Sequence, residues 1–228
     1  MERIENLGFG DLRLIQDDEQ FCFGTDAVLL AQFAAGFAEK GCTAVDLGTG
    51  NGIIPILLTN LIEGVSVTGV ELQECAYKLA VRNAELNGLS DRVRFINCDV
   101  KNAVIEHPEL AGSAGLIVTN PPYVRRGAGL VNDGDSLFIA RQETTGTLED
   151  FISTAASVSA PRGHFCMIHR PSRLVDIISL SRKYGMEPKH MQFVHPHEGE
   201  TPNMVMVHCI KSGGPELKIL DPIIVHKK

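Results

Sequence analysis

Val45-Asp46-Leu47-Gly48-Thr49-Gly50-Asn51-Gly52 sets the frame for the whole chain. A short apolar strand signal runs into three alternating glycines, and an apolar helix signal follows at about 52–62. Glycines at such a turn permit positive φ and let a ligand approach the backbone closely. The spacing is G-x-G-x-G, whereas the dinucleotide fingerprint is G-x-G-x-x-G.

Outward from this unit, strand and helix signals alternate. Strands are expected at about 43–47, 65–71, 92–98, 115–119 and 163–169, with helices at about 73–87, 100–106, 147–158 and 173–184 between and after them. Such alternation means a mostly parallel sheet covered by helices, a doubly wound α/β fold. Two last strands, about 189–195 and 203–210, are joined by a connection too short for a parallel crossover, so they must pair antiparallel. Before residue 43, alternation up to Gln16 reads as a short strand pair. Thr25 or Asp26 is the expected N-cap of an apolar helix from Ala27. One domain over 1–228 is expected, with 1–40 as a β/α extension contributing to the cofactor site and 213–228 as a tail.

Composition narrows the class. Hydrophobic residues make up 44% and charged residues 21%, ordinary for a globular protein. No apolar run approaches the ~20 residues of a membrane span, and the N-terminus lacks the apolar core of a signal peptide. The cytoplasm is the expected location, with no membrane partner. Six scattered cysteines without a C-x-x-C pair read as buried thiols, and no metal site is expected. The net charge of −7 is uneven: residues 1–160 carry 11 Lys and Arg against 22 Asp and Glu, residues 161–228 carry 10 against 6. An acidic half suited to a cationic ligand and a basic half suited to phosphates would have this pattern.

Three acids fall at strand ends: Asp46 before the glycine turn, Glu71 after the second strand, and Asp99 after the third. In a doubly wound sheet these ends line one crevice. Acids there repel a pyrophosphate and suit a cationic ligand that carries a ribose and an adenine. Glu71 is placed to accept from ribose hydroxyls and Asp99 from an adenine amino group. An N-cap role for Asp99 is the alternative. The fourth strand, Leu116-Ile117-Val118-Thr119, stops at Asn120-Pro121-Pro122-Tyr123 because neither proline has an N–H and both fix φ.

Together, the glycine turn, the strand-end acids and Asn-Pro-Pro-Tyr resemble the class I S-adenosylmethionine-dependent methyltransferases. The resemblance covers about residues 20–210 and implies a seven-stranded sheet with the last strand antiparallel. Within that fold the chain is similar to the tRNA(Val) adenine-37 N6-methyltransferases. That narrower match is carried by Phe23-Gly24-Thr25-Asp26-Ala27-Val28-Leu29-Leu30, Asn-Pro-Pro-Tyr, Ala140-Arg141-Gln142-Glu143 and Arg170-Pro171-Ser172-Arg173-Leu174. It departs at Gly115, where many relatives have an acid, and at Gln142, often His.

The resemblance implies S-adenosylmethionine as cofactor, held by Thr25, Asp26, Asp46, Gly48, Gly50, Asn51, Gly52, Glu71, Asp99 and Asn120. Asn120, Pro121, Pro122 and Tyr123 would form the catalytic set. The Asn120 side-chain oxygen and the Pro121 carbonyl can accept from an exocyclic amine whose lone pair is otherwise delocalised, and Tyr123 offers a stacking face. Arg125, Arg126, Arg170 and Arg173 are placed to meet phosphates. The expected partner is tRNA or another RNA, and the expected state a monomer or weak dimer. Asn-Pro-Pro-Tyr also occurs in release-factor glutamine and guanine-N2 ribosomal RNA methyltransferases, and a small-molecule acceptor or a non-catalytic cofactor-binding subunit are further alternatives.

Overall fold

A computed structural model describes residues 2–17, 24–122 and 146–226. Strand β1 (Glu2–Asn6) and β2 (Arg13–Asp17) form an antiparallel hairpin, followed by helix α1 (Thr25–Ala35). The central run is β3 (Thr43–Leu47), α2 (Ile53–Leu61), β4 (Ser66–Glu71), α3 (Glu74–Leu86), β5 (Val93–Asn97), α4 (Ala103–Glu106) and β6 (Ala114–Thr119). Then come α5 (Leu148–Val158), β7 (Ser159–His169), α6 (Leu174–Lys183), β8 (Met186–His197), β9 (Met204–Lys211), β10 (Lys218–Ile219) and β11 (Ile223–His226).

The main sheet has the order β10-β8-β9-β7-β6-β3-β4-β5, with β11 also pairing β8. Strands β3 to β7 pair with one another in parallel, and β9 runs antiparallel to both β7 and β8. The seven expected strands are therefore β3 to β9, with β9 the antiparallel one. Two details differ from the sequence reading. Among the described residues the sheet has nine strands, and the antiparallel strand is not the last of them, because β10 and β11 add to β8 in parallel. The edge of β8 would otherwise present unpaired N–H and C=O groups, and the tail satisfies them.

Alternate residues of each strand feed two cores. Val45, Leu47, Ile117, Phe165 and Met167 pack with α5 and α6, while Ala44, Leu116, Val118, Cys166 and Ile168 pack with α1 and α2. Period-two alternation in strands covered on both faces explains why the runs are apolar throughout. Asp46 interrupts that apolar set and is fully buried.

The sequence pattern located α5 from Thr147, and the structure gives the reason. Thr147 and Asp150 form a capping box, with the Thr147 hydroxyl accepting from the Asp150 N–H and the Asp150 carboxylate from the Thr147 N–H. For α1 the expectation fails: its N-cap is Gly24, without a side-chain cap, and Thr25 and Asp26 lie inside the first turn. Asp26 is engaged elsewhere, as described below.

Asn83, fully buried on α3, was not singled out by the sequence. Its Oδ1 accepts from the Ile15 N–H (2.7 Å), and its Nδ2 donates to the Ile15 carbonyl (3.2 Å) and the Asn51 carbonyl (2.9 Å). One amide thus ties the N-terminal hairpin to the glycine turn. His208 is 1% exposed, stacks on Phe37 with 3.8 Å between centroids, and contacts His164 and His190 through its two ring nitrogens.

Candidate active site

Strand order reverses between β3 and β6, so a crevice opens at their carboxyl ends. The glycine turn forms its floor. Gly48, Gly50 and Gly52 have φ of 76°, 57° and 82°, a region side chains avoid. A Cβ on Gly52 would come within 2.8 Å of the Phe95 ring, whereas one on Gly50 would meet nothing within 4 Å. Gly52 is needed for packing and Gly50 leaves open space over the turn.

The acids are held tightly. Glu71, 6% exposed, accepts from the Gly50 N–H through Oε2 and from the Gln73 N–H through Oε1, each at 2.8 Å. Burial pushes its carboxyl up, and these backbone donors pull it back. Asp46 Oδ2 accepts from the Thr49 hydroxyl at 2.6 Å, while Oδ1 is buried without a hydrogen-bond partner. Burial, opposed by Thr49 and reinforced by the charge of Glu71, pushes the Asp46 carboxyl up to about 7. An unpartnered buried carboxylate oxygen beside a second acid is a place for a cation.

Asp99 occupies the role kept open as its alternative. It caps the turn that begins α4, accepting from the Lys101 N–H at 3.0 Å, and its other oxygen pairs with the Lys101 ammonium at 3.1 Å. No metal site is expected from the sequence, yet among the described residues Cys98, Glu106 and His107 bring ligand-type atoms within 4.8 Å of one another. Burial and the nearby Glu106 and Asp99 push the Cys98 thiol up to about 11.

At the end of β6, Asn120 Nδ2 donates to Asp26 Oδ2 at 3.0 Å, while Asp26 Oδ1 accepts from the Ala27 N–H. The first turn of α1 and the end of β6, 94 residues apart, thereby meet. With its NH₂ held by a carboxylate, the Asn120 amide presents Oδ1 on the side away from Asp26. Pro121 is buried and Pro122 half-buried, so this edge is rigid. Tyr123, Arg125, Arg126 and the 140–143 stretch lie outside the described residues.

Arg170 and Arg173 follow β7 at the same sheet edge. Arg170 is exposed and its N–H donates to His169 Nδ1, while Arg173 pairs with Asp176 at 2.7 Å. His169 is 2% exposed, and burial with the charge of Arg173 pushes it down to about 4. No helix among the described residues is long and apolar enough to cross a membrane.

Residues 19–178 match the model of the methyltransferase small domain family. The chain belongs to this family. S-adenosylmethionine is its cofactor, and the chain is a class I methyltransferase. The crevice fits that group on two counts, the unpartnered Asp46 oxygen for its cationic centre and the open space over Gly50.

The methyltransferase is 31% identical over 183 residues to a tRNA1(Val) (adenine(37)-N6)-methyltransferase of Porphyromonas gingivalis, covering 77% of this chain and 69% of that protein. It is 32% identical over 156 residues to a 4-amino-L-phenylalanine/4-methylamino-L-phenylalanine methyltransferase of Streptomyces pristinaespiralis, covering 64% of this chain and 51% of that one. Among solved structures, a predicted O-methyltransferase from Agrobacterium tumefaciens superposes with a TM-score of 0.69 at 26% identity, covering 89% of this chain and 88% of that one.

Proposed function

We propose that this methyltransferase acts on the exocyclic N6 amine of an adenine in RNA, in a tRNA. The observation that carries the reading is the contact between Asn120 and Asp26 at the end of β6, beside the cofactor crevice. The similarity to the Porphyromonas gingivalis enzyme supports the choice of acceptor.

S-adenosylmethionine supplies an electrophilic methyl carbon on a sulfonium, with a neutral thioether as leaving group. The chain then has to position the amine and free its lone pair. Asn120 Oδ1 and the Pro121 carbonyl accept from the two N–H groups of the acceptor, drawing the nitrogen toward tetrahedral geometry. Asp26 acts as a positioning residue, because its hold on Nδ2 decides which end of the Asn120 amide faces the substrate. Once the nitrogen is methylated, its surplus proton leaves to solvent, so a strong general base is not required. Tyr123 is proposed as the stacking face for the base, and Arg125, Arg126, Arg170 and Arg173 as contacts to flanking phosphates.

On the cofactor side, Asp46, Gly48, Gly50, Asn51, Gly52, Glu71 and Asp99 hold the nucleoside and methionine parts, with Thr25 at the α1 end. Asp99 would have to share an oxygen between Lys101 and the adenine amino group. A second reading, an aromatic amine on a small molecule, is favoured by the Streptomyces pristinaespiralis relative. It needs the same clamp.

The test offers the purified enzyme labelled cofactor with unmodified tRNA, a release factor and small aromatic amines in parallel, followed by nucleoside analysis. N6-methyladenosine is expected from the tRNA. Label confined to the release factor or to an amine would move the assignment there.

A further inference from the structure

A cavity of about 350 Å³ lies at the carboxyl edge of the sheet, across β6 from the glycine turn. Leu29, Val194, Met204 and Val225 give it apolar walls, and Asn203 and His226 stand exposed at its mouth. Asp26, which holds the Asn120 amide, also lines it. Thr25, at the α1 end of the proposed cofactor site, lines it as well, so the cavity adjoins the amine clamp, with the acids at the ends of β3, β4 and β5 lying across β6. Its outer wall comes from β11, the strand that the tail adds to β8.

We propose that this cavity seats the base of a nucleotide adjacent to the target adenine, splayed out of an RNA loop, and so selects the sequence or loop in which the adenine is methylated. The proposal rests on the RNA reading above and adds a specificity site to it. Its volume is at the lower end of the ~300–1,000 Å³ usual for ligand cavities, which suits a single base. Apolar side chains suit the faces of a base, and the Asn203 amide offers a donor and an acceptor to its edge. Sequence-specific RNA recognition works in this way, on unstacked bases of loops and ends. Charge agrees, because residues 161–228 carry 10 Lys and Arg against 6 Asp and Glu.

The experiment uses the full chain, a tRNA stem-loop containing the methylated adenine once labelling has located it, and the same stem-loop with the base removed on either side. Val225→Trp fills the cavity from an edge strand, and Asn203→Ala removes the edge contact at an exposed position. Loss of the base on one flank should lower wild-type kcat/KM at least tenfold. Val225→Trp should show a comparable loss on intact RNA and no further loss on the abasic RNA. Asn203→Ala should lose about threefold to tenfold, with a larger effect for one base identity than for the others. Cofactor affinity by calorimetry should be unchanged in both variants, which also reports correct folding.

Abasic RNAs and both variants performing like wild type would overturn the cavity assignment and leave the RNA reading intact. A wild-type enzyme that labels no RNA but labels protein would overturn both.

Discussion

The two halves of the active edge are built on different principles. On one side of β6 lies the proposed cofactor crevice, where Asp46 and Glu71 are buried and hydrogen-bonded to hydroxyl or backbone donors. On the other side, the proposed acceptor half is assembled from α1, β8, β9 and β11, with its polar groups exposed. A fixed cofactor demands desolvated, pre-set acids, and the ends of adjacent paired strands provide them. An acceptor embedded in a larger molecule needs an open face, and distant segments can supply it. Asn120 and Asp26 form the seam between the halves.

The largest expected effect comes from cutting that seam. Asn120→Ala should lower kcat by about 100-fold or more, the scale of losing one oriented transition-state group, with cofactor Kd within about threefold by calorimetry. If cofactor binding and turnover fall together, the halves are not separable at Asn120. Asp26→Asn should lower kcat less, since it can still accept from the Asn120 amide.

Asn83→Leu tests whether the crevice depends on its support. It strips partners from the Ile15 N–H and the Ile15 and Asn51 carbonyls, and should cost about 1–3 kcal/mol in thermal or urea unfolding. Cofactor affinity should fall because Asn51 belongs to the glycine turn, while kcat at saturating cofactor should hold. A stability loss without an affinity change would uncouple the hairpin from the crevice.

The smallest effect is in pH. Asp46 sits at about 7 in the fold, raised by burial above the usual carboxylate range. Its contribution to stability is fully present below the unfolded value and is lost as pH rises through about 7. Cation binding has the opposite sign, because it needs the ionised form. Cofactor affinity should rise about fivefold to tenfold from pH 6 to pH 8 in wild type, and stay level in Asp46→Asn. A flat wild-type profile would mean that Asp46 does not face the cationic centre.

Much of this molecule was legible from local signals. Every strand and helix of the α/β core fell within a few residues of its expected place, except that β7 begins four residues early and β8 three residues early. Apolar runs of strand length bounded by glycine or proline leave few other readings. The short link before β9 also fixed its antiparallel sense. The cap of α1 differs from the expectation because Gly24 takes the cap position, and Asp26 inside the first turn reaches across to Asn120. The nine-stranded count was missed because a two-residue strand such as Lys218–Ile219 carries no period of its own.

By itself, the sequence determined the alternation of strands and helices, the glycine turn, and the acids at three strand ends, all consequences of residue types within a turn or two of each other. Tertiary structure alone decided that Asn83 braces the glycine turn, that Asp26 reaches Asn120, and that the tail walls a cavity. Those contacts join segments tens of residues apart, and an amide or a carboxylate announces its partner only when the fold has brought that partner within 3 Å or so.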